Sequence, residues 1–220
     1  MSFDALMRSR WSCRAFRPDP VPRGVLDAIL GTAQQTASWN NVQPWQVVLT
    51  SGAATERLRE ALCAAFDAGL EPDPHIPFPE AYEGVYRDRR RACGFQLYDA
   101  VGITRDDSAA RSRQSRRNFE LFDAPHALIV TTEAKLGTYG VLDCGAYVHN
   151  VMIAAAEHGV ASIAQGALAT VSPLLAEQFD LPEGRNVVCG VALGYADEDH
   201  PINRYRVPRA PVADAVRFVE

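Results

Sequence analysis

Apolar residues recur along this chain with two different periods. Val25, Leu26, Ile29 and Leu30 follow Pro22 at helical spacing and predict a helix that decays over residues 34–37. Upstream, Phe3–Ser9 reads as a short amphipathic helix with Phe3, Leu6 and Met7 on one side, and Pro18 and Pro20 keep the two helices apart. Residues 53–68, rich in Ala, Leu, Arg and Glu, predict a third helix. Residues 143–158 form the most apolar helix, capped by Gly159. Its small residues, among them Gly145, Ala146 and Ala154, suit a close neighbour at the centre of the fold or at a subunit interface. Further helices are expected over 80–100, 106–122 and 173–179 (the last N-capped by Ser172), with a short one from Val212. Continuous apolar runs at 45–50, 126–132, 160–166 and 186–195 predict strands. The sum is an α+β layer architecture without internal repeats.

Residues 71–79 carry four prolines and must be an extended loop. Neither flank holds enough strands for a core of its own, so residues 1–220 read as one domain with a Pro-rich and helical excursion at about 71–107. Hydrophobic residues at 47% and charged residues at 22% are ordinary for a globular chain, and a net charge of −5 argues against nucleic-acid binding. Five widely spaced cysteines form neither a zinc nor a disulfide pattern, so no metal site is expected. No signal peptide and no membrane-length apolar run is visible, which makes the cytoplasm the expected compartment.

Lys135 is the only lysine, so an arginine carries weight here by its position alone. In the extended segment Arg10-Trp11-Ser12-Cys13-Arg14-Ala15-Phe16, alternation puts Arg10, Ser12 and Arg14 on one face and Trp11, Cys13 and Ala15 on the other. Two guanidiniums and a hydroxyl on one face suit a phosphate. Ser38-Trp39-Asn40-Asn41-Val42-Gln43-Pro44-Trp45 gathers amides and a hydroxyl that can read the polar edge of a planar heterocycle. Cys13 reads as a packed side chain, although neighbouring arginines could lower its pKa. Arginines cluster at 87–91 and 111–117, either as a solvated face or as a means of capturing an anionic substrate. No Gly-x-Gly-x-x-Gly follows a strand, and no P-loop is present.

These residues resemble the FMN-dependent nitroreductase family. The opening segment resembles its Arg-x-Ser-x-Arg-x-Phe motif, and Ser38 with Asn41-Val42-Gln43-Pro44-Trp45 resembles its Ser-x-x-Asn-x-Gln-Pro-Trp motif. Asp123-Ala124-Pro125, Asp143-x-Gly145 opening the apolar helix, Ser162 to Gly166, Gly190 to Tyr195, and Asn203…Arg206…Arg209 follow in the family's order. The resemblance implies a nitroreductase-like fold, a central and mostly antiparallel sheet flanked by helices, in a domain-exchanged homodimer with FMN at the interface. Arg10, Trp11, Ser12 and Arg14, with Arg206 and Arg209 closing from the C-terminal side, would hold the phosphate end. Ser38, Trp39 and Asn41 would come from the partner subunit. Gln165 and Gly166 would lie beside the flavin ring, with Asn118 as a further neighbour. NADH or NADPH would reduce the flavin at N5, and a small planar acceptor, nitroaromatic or quinone, would reoxidise it without any catalytic side chain. Two alternatives stand beside this: a specialised superfamily member acting in flavin fragmentation or reductive dehalogenation, and a non-catalytic flavin-binding protein.

Overall fold

The computed structural model describes all 220 residues. Four antiparallel strands, β1 (Gln46–Ser51), β2 (His126–Glu133), β3 (Ala161–Gln165) and β4 (Arg185–Gly194), lie in the order β1-β2-β4-β3. Seven helices surround them: α1 (Phe3–Ser9), α2 (Arg23–Ala33), α3 (Ala53–Asp67), α4 (Gly84–Ala100), α5 (Ser108–Arg116), α6 (Gly137–Glu157) and α7 (Ser172–Gln178). The expected α+β layering holds.

β2 explains the layering. Its side chains alternate, and both faces are covered. Leu128 and Val130 enter a cluster with Leu26 and Ile29 of α2 and Tyr147 and Val151 of α6. Ala127 and Ile129 enter another with Leu58 and Leu62 of α3 and Leu175 of α7. A strand buried on both sides needs a near-continuous apolar run, which is why 126–132 reads so clearly as a strand.

Several boundaries differ from the sequence expectation, the first two for a packing reason. α6 begins at Gly137 rather than at residue 143. Gly140 does not break it: a Cβ there would stand 2.9 Å from Thr132 Oγ1, so glycine is what lets α6 lie on β2. Asp143 is therefore inside the helix, not at its start, and its Oδ2 accepts the Trp39 N–H at 3.0 Å. The helix expected over 106–122 stops at Arg116. Leu121, Phe122 and Asp123 follow with φ of 55°, 53° and 67°. That turn sends Leu121 into the α3–α7 cluster and Phe122 into a third one with Cys13, Phe16 and Ile163. Arg59 clamps it through the carbonyls of Glu120 and Ala124. Burial of two large side chains in two clusters outweighs the cost of left-handed backbone. Ser172, expected as an N-cap, is instead the first residue of α7; its hydroxyl donates to Ala169 O and accepts from His75 N. The helix expected from Val212 is a single 3-10 turn, Val212–Asp214.

His126 opens β2 and ties two further segments to it. Its Nε2 accepts the Val21 N–H at 2.9 Å, and Nδ1 lies 2.8 Å from Ser51 Oγ. Accepting at Nε2 requires a neutral ring that carries its proton on Nδ1. Burial lowers the His126 pKa from its ordinary value. The unfolded chain therefore takes up a proton that the folded chain resists, and stability is lost as pH falls below about 6.5. Melting temperatures measured from about pH 7.5 to 5 should fall, and His126→Asn should flatten that dependence while lowering stability at the upper end. An unchanged slope in the variant would remove His126 as its source.

Candidate functional site

The Arg10–Phe16 segment is stitched along the far edge of the sheet. Cys13 N donates to Ser162 O, and Ser12 pairs with Ser162 of β3 in a parallel bridge. Further on, Phe16 N donates to Phe122 O, and Arg17 N to Tyr195 O beyond β4. Cys13 and Ala15 are buried, which leaves Arg10, Ser12 and Arg14 for the other face, as alternation requires. Trp11 departs from strict alternation: it lines the same cavity, with the Arg206 guanidinium 4.3 Å from its ring centre.

The C-terminal segment is fastened here by Asp197 N on Ala15 O and by one buried side-chain amide. Asn203 Oδ1 accepts the Arg14 N–H at 2.9 Å, and its Nδ2 donates to Ala15 O at 2.8 Å and Asp197 O at 2.7 Å. Arg206 and Arg209 follow it. The result is a cavity of about 860 Å³ lined by Arg10, Ser12, Arg14, Arg206 and Arg209 among others, with no acidic residue in its wall. None of these four arginines is ion-paired to a carboxylate, whereas Arg8, Arg17 and Arg23 nearby in sequence each have one. Burial, and then the neighbouring charge of Arg209, pull the Arg10 pKa below its ordinary value. Crowded, unpaired guanidiniums of this kind are a standing electrostatic cost that a multivalent oxyanion removes.

Cys13, at the floor of the segment, is no nucleophile. Burial pushes its thiol up to about 11 despite the neighbouring arginine, so the packed reading holds.

From Ser162, β3 runs on to Gln165, roughly 10 Å further along the strand at its normal rise. Gln165 is buried; its Nε2 donates to Asn118 O at 2.8 Å, and its Oε1 has no partner. The proposed neighbour Asn118 is thus in contact with Gln165, through its backbone. A Cβ on Gly166 would lie 3.7 Å from Phe78, so the Pro-rich loop comes back over this end of β3. The loop is pinned there by Asp73 N on Thr170 O and by His75 Nδ1, which accepts Val187 N–H at 3.1 Å. Val187 lies in the part of β4 beyond Gly190, where the pairing with β3 ends.

Ser38, Trp39 and Asn41 are not in the cavity. They belong to the turn Trp39–Asn41 beside α6, where Trp39 and Asn41 are exposed and the Trp39 ring lies 4.3 Å from that of Tyr139. The two sequence segments therefore form two separate places on one chain.

The profile of the Nitroreductase family matches residues 7–195. The 4-nitrobenzoate reductase of Pseudomonas putida is 34% identical over 99% of this chain and 95% of its own length. The crystal structure of the FMN-dependent nitroreductase NfnB from Mycobacterium smegmatis, in complex with NADPH, superposes with a TM-score of 0.94 at 32% identity, covering 99% of this chain and 97% of that one. An FMN- and NADPH-dependent NfnB from Sphigopyxis sp. strain HMH gives 0.96 at 31% identity, with both chains covered completely. The chain belongs to the nitroreductase family.

Within this family member, sequence reasoning missed two residues that build the site. Asn203 was noted only as part of a C-terminal pattern, and its spacing from the arginines could have marked it as the fastening point. Phe78 carried no signal, since nothing local ties a Pro-rich loop to Gly166. Asn203→Ala strips the Arg14 N–H and the Asp197 carbonyl of their partners and leaves Ala15 O with the Asp197 N–H alone, so it should cost roughly 1–3 kcal/mol of folding free energy. Denaturant unfolding measures this, and a loss below a few tenths of a kcal/mol would show that the amide does not fasten the two chain ends.

Proposed function

We propose that the chain is an FMN-dependent NAD(P)H oxidoreductase that reduces nitroaromatic or quinone-type acceptors. The observation that carries this is the convergence of Arg10, Arg14, Arg206 and Arg209 with Ser12 in a cavity without a carboxylate. This donor set fits the phosphate monoester of FMN: charge-assisted bonds from guanidiniums, a hydroxyl, and no acidic neighbour to repel the ligand.

Bound there, FMN would supply hydride-transfer chemistry between NADH or NADPH and an acceptor that uses the same pocket in turn, in ping-pong order. The protein's part is binding and positioning. Arg10, Ser12 and Arg14 hold the phosphate from the N-terminal side, and Arg206 and Arg209 from the C-terminal side. Trp11 keeps Arg206 in place by offering its ring face. β3 carries the chain from the phosphate end to Gln165 and Gly166, which flank the ring. Gln165 Oε1 has no partner within the chain, and Phe78 stands beside Gly166. Ser38, Trp39 and Asn41, which do not line their own chain's cavity, serve the site of a second copy in a homodimer. No side chain is required as nucleophile or base.

A flavin-sequestering protein would use the same cradle, and the cover that Phe78 places on Gly166 is the feature favouring it. One experiment separates the two. The purified protein should be yellow, bleach with NADPH or NADH under anaerobic conditions, and recover its colour on adding a nitroaromatic or quinone. A yellow protein that does neither is a flavin binder, and a protein with no affinity for FMN sinks both readings.

Arg10→Ala should weaken FMN retention by about ten-fold or more, the worth of one charge-assisted contact, as read by flavin released on gel filtration. A forced monomer should lose the flavin altogether. A flavin-loaded monomer in sedimentation would refute the assignment of Ser38 and Asn41 to the partner's site.

A further inference from the structure

Ser38 and Asn41 sit on a turn whose backbone needs outside support. Asn40, Asn41 and Gln43 have φ of 48°, 58° and 50°, left-handed values without a glycine among residues 40–43. Asparagine tolerates that region, whereas a glutamine in it must be held there by its surroundings. The holding contacts are dense. Asp143 Oδ2 of α6 accepts the Trp39 N–H at 3.0 Å, Ser38 O accepts the Asn41 N–H at 3.0 Å, and Trp39 O accepts the Val42 N–H at 3.0 Å. The Trp39 ring packs against that of Tyr139 on the same helix.

The side chains of this region are joined in a line that has a direction. It starts at Trp45, buried and stacked on Tyr147 with ring centres 4.9 Å apart. An indole N–H can only donate, so Trp45 Nε1 fixes which end of the Gln34 amide faces it: Oε1, at 3.1 Å. Gln34 then offers Nε2 to Gln43, whose Oε1 accepts at 3.2 Å. Gln43 in turn offers Nε2 to Asn41, 3.1 Å from its Oδ1 and 3.2 Å from its backbone O. That backbone carbonyl can only accept, so it fixes the same direction from the other end. Asn41 is left with its Nδ2, which makes no hydrogen bond within the chain and presents N–H donors from an exposed residue. Ser38 is treated alike: its Oγ accepts the Gln43 backbone N–H at 2.9 Å, which leaves the hydroxyl hydrogen to donate. Gln43 thus occupies an acceptor on each of the two residues.

We propose that Gln43, keyed by Gln34 and Trp45, is the positioning residue that sets Ser38 and Asn41 as hydrogen-bond donors toward the flavin bound by a second copy of the chain; this rests on the partner-site assignment made under the proposed function. The isoalloxazine ring is edged by carbonyl oxygens, and two-electron reduction adds negative charge to it. Donors held toward such an edge favour the reduced, anionic form over the oxidised one, by the logic of an oxyanion hole. An Asn41 amide turned over would present its carbonyl oxygen instead and repel that charge. A free asparagine on an exposed turn can present either end. The line of amides removes that choice before the ligand arrives, which lowers the ordering cost of binding.

The test reads flavin affinity and potential, not turnover. Apoprotein is titrated with FMN, and the midpoint potential of the loaded protein is measured, for the native chain, Asn41→Ala, Gln43→Met and the double variant. Asn41→Ala should weaken FMN binding by about ten-fold and Gln43→Met by about five-fold. Each should also lower the potential: a ten-fold preferential loss of the reduced form is about 30 mV for a two-electron couple. Gln43→Met leaves the backbone N–H on Ser38 in place, so its effect passes through Asn41. The double variant should therefore fall within about two-fold of Asn41→Ala alone. Effects that multiply in the double variant overturn the proposal, since a purely structural role of Gln43 would persist without Asn41. A Gln43→Met protein with native affinity and potential overturns it as well. If Gln43→Met does not fold, Gln34→Met breaks the line one step earlier at an ordinary helical backbone, and the same non-additivity is required of it. An Asn41→Ala protein that binds FMN as the native chain does removes the partner-site assignment and this inference with it, whereas a native chain that binds no FMN removes the cofactor reading.

Discussion

The buried side-chain amide of Asn203 is the constraint on which the site depends. One primary amide has two donor hydrogens and one acceptor oxygen, and here they take the Arg14 N–H and the carbonyls of Ala15 and Asp197. Those three groups come from opposite ends of the chain. Without the amide, the two chain ends would still meet through Arg17 N on Tyr195 O and Asp197 N on Ala15 O, but the stretch that carries Arg206 and Arg209 would lose its buried fastening to Arg14. The contact lies in a dry region beside Cys13 and Phe16, both buried, where an unmet hydrogen bond is expensive. The same dryness that makes the fastening strong raises the Cys13 thiol and removes it from chemistry.

Charge compensation separates the arginines that stabilise the protein from those that wait for a ligand. Arg116 is held by Asp67 and Glu120, and Arg117 by Glu120 and Asp123, around the left-handed turn at 121–123. Arg185 is buried against Glu133 at the end of β2. These residues keep local geometry. In an acidic, arginine-biased chain, carboxylates are plentiful enough to serve any guanidinium whose task is structural. An arginine left without one, in a concave wall with its equals, is therefore more informative than any count of arginines along the sequence.

Much of the fold was legible because burial is written in local pattern. The run at 126–132 is buried on both faces of a central strand, and 25–30 presents a helical stripe to the same sheet. The arginine-lined cavity was legible in half: alternation placed Arg10, Ser12 and Arg14 together, but only the resemblance brought Arg206 and Arg209 to them across the length of the chain. What stayed hidden was decided by tertiary contact. Helical composition runs through 106–122, yet Leu121 and Phe122 are claimed by two different clusters and the helix gives way. Gly140 looks like a breaker, yet its missing Cβ is what allows α6 to touch Thr132. Trp11 should face away from the cradle by alternation, yet Arg206 holds it at the rim.

The Pro-rich excursion shows how a feature with no pattern of its own gains a position. Prolines remove N–H donors and hold the segment extended, so it cannot join the sheet and must find its anchors elsewhere. It finds one on β4, beyond the end of its pairing with β3. There His75 Nδ1 accepts the Val187 N–H, while Asp73 N donates to Thr170 O and His75 N to Ser172 Oγ. Anchored so, the loop lays Phe78 over Gly166 and hands the chain to α4, which runs past the phosphate cradle at Cys93. The short run Asp73 to His75 thus fastens the loop just before the residue that lies against Gly166 and the helix that follows it, so a stretch without hydrophobic periodicity takes its place from a few backbone bonds to β4 and to the turn before α7.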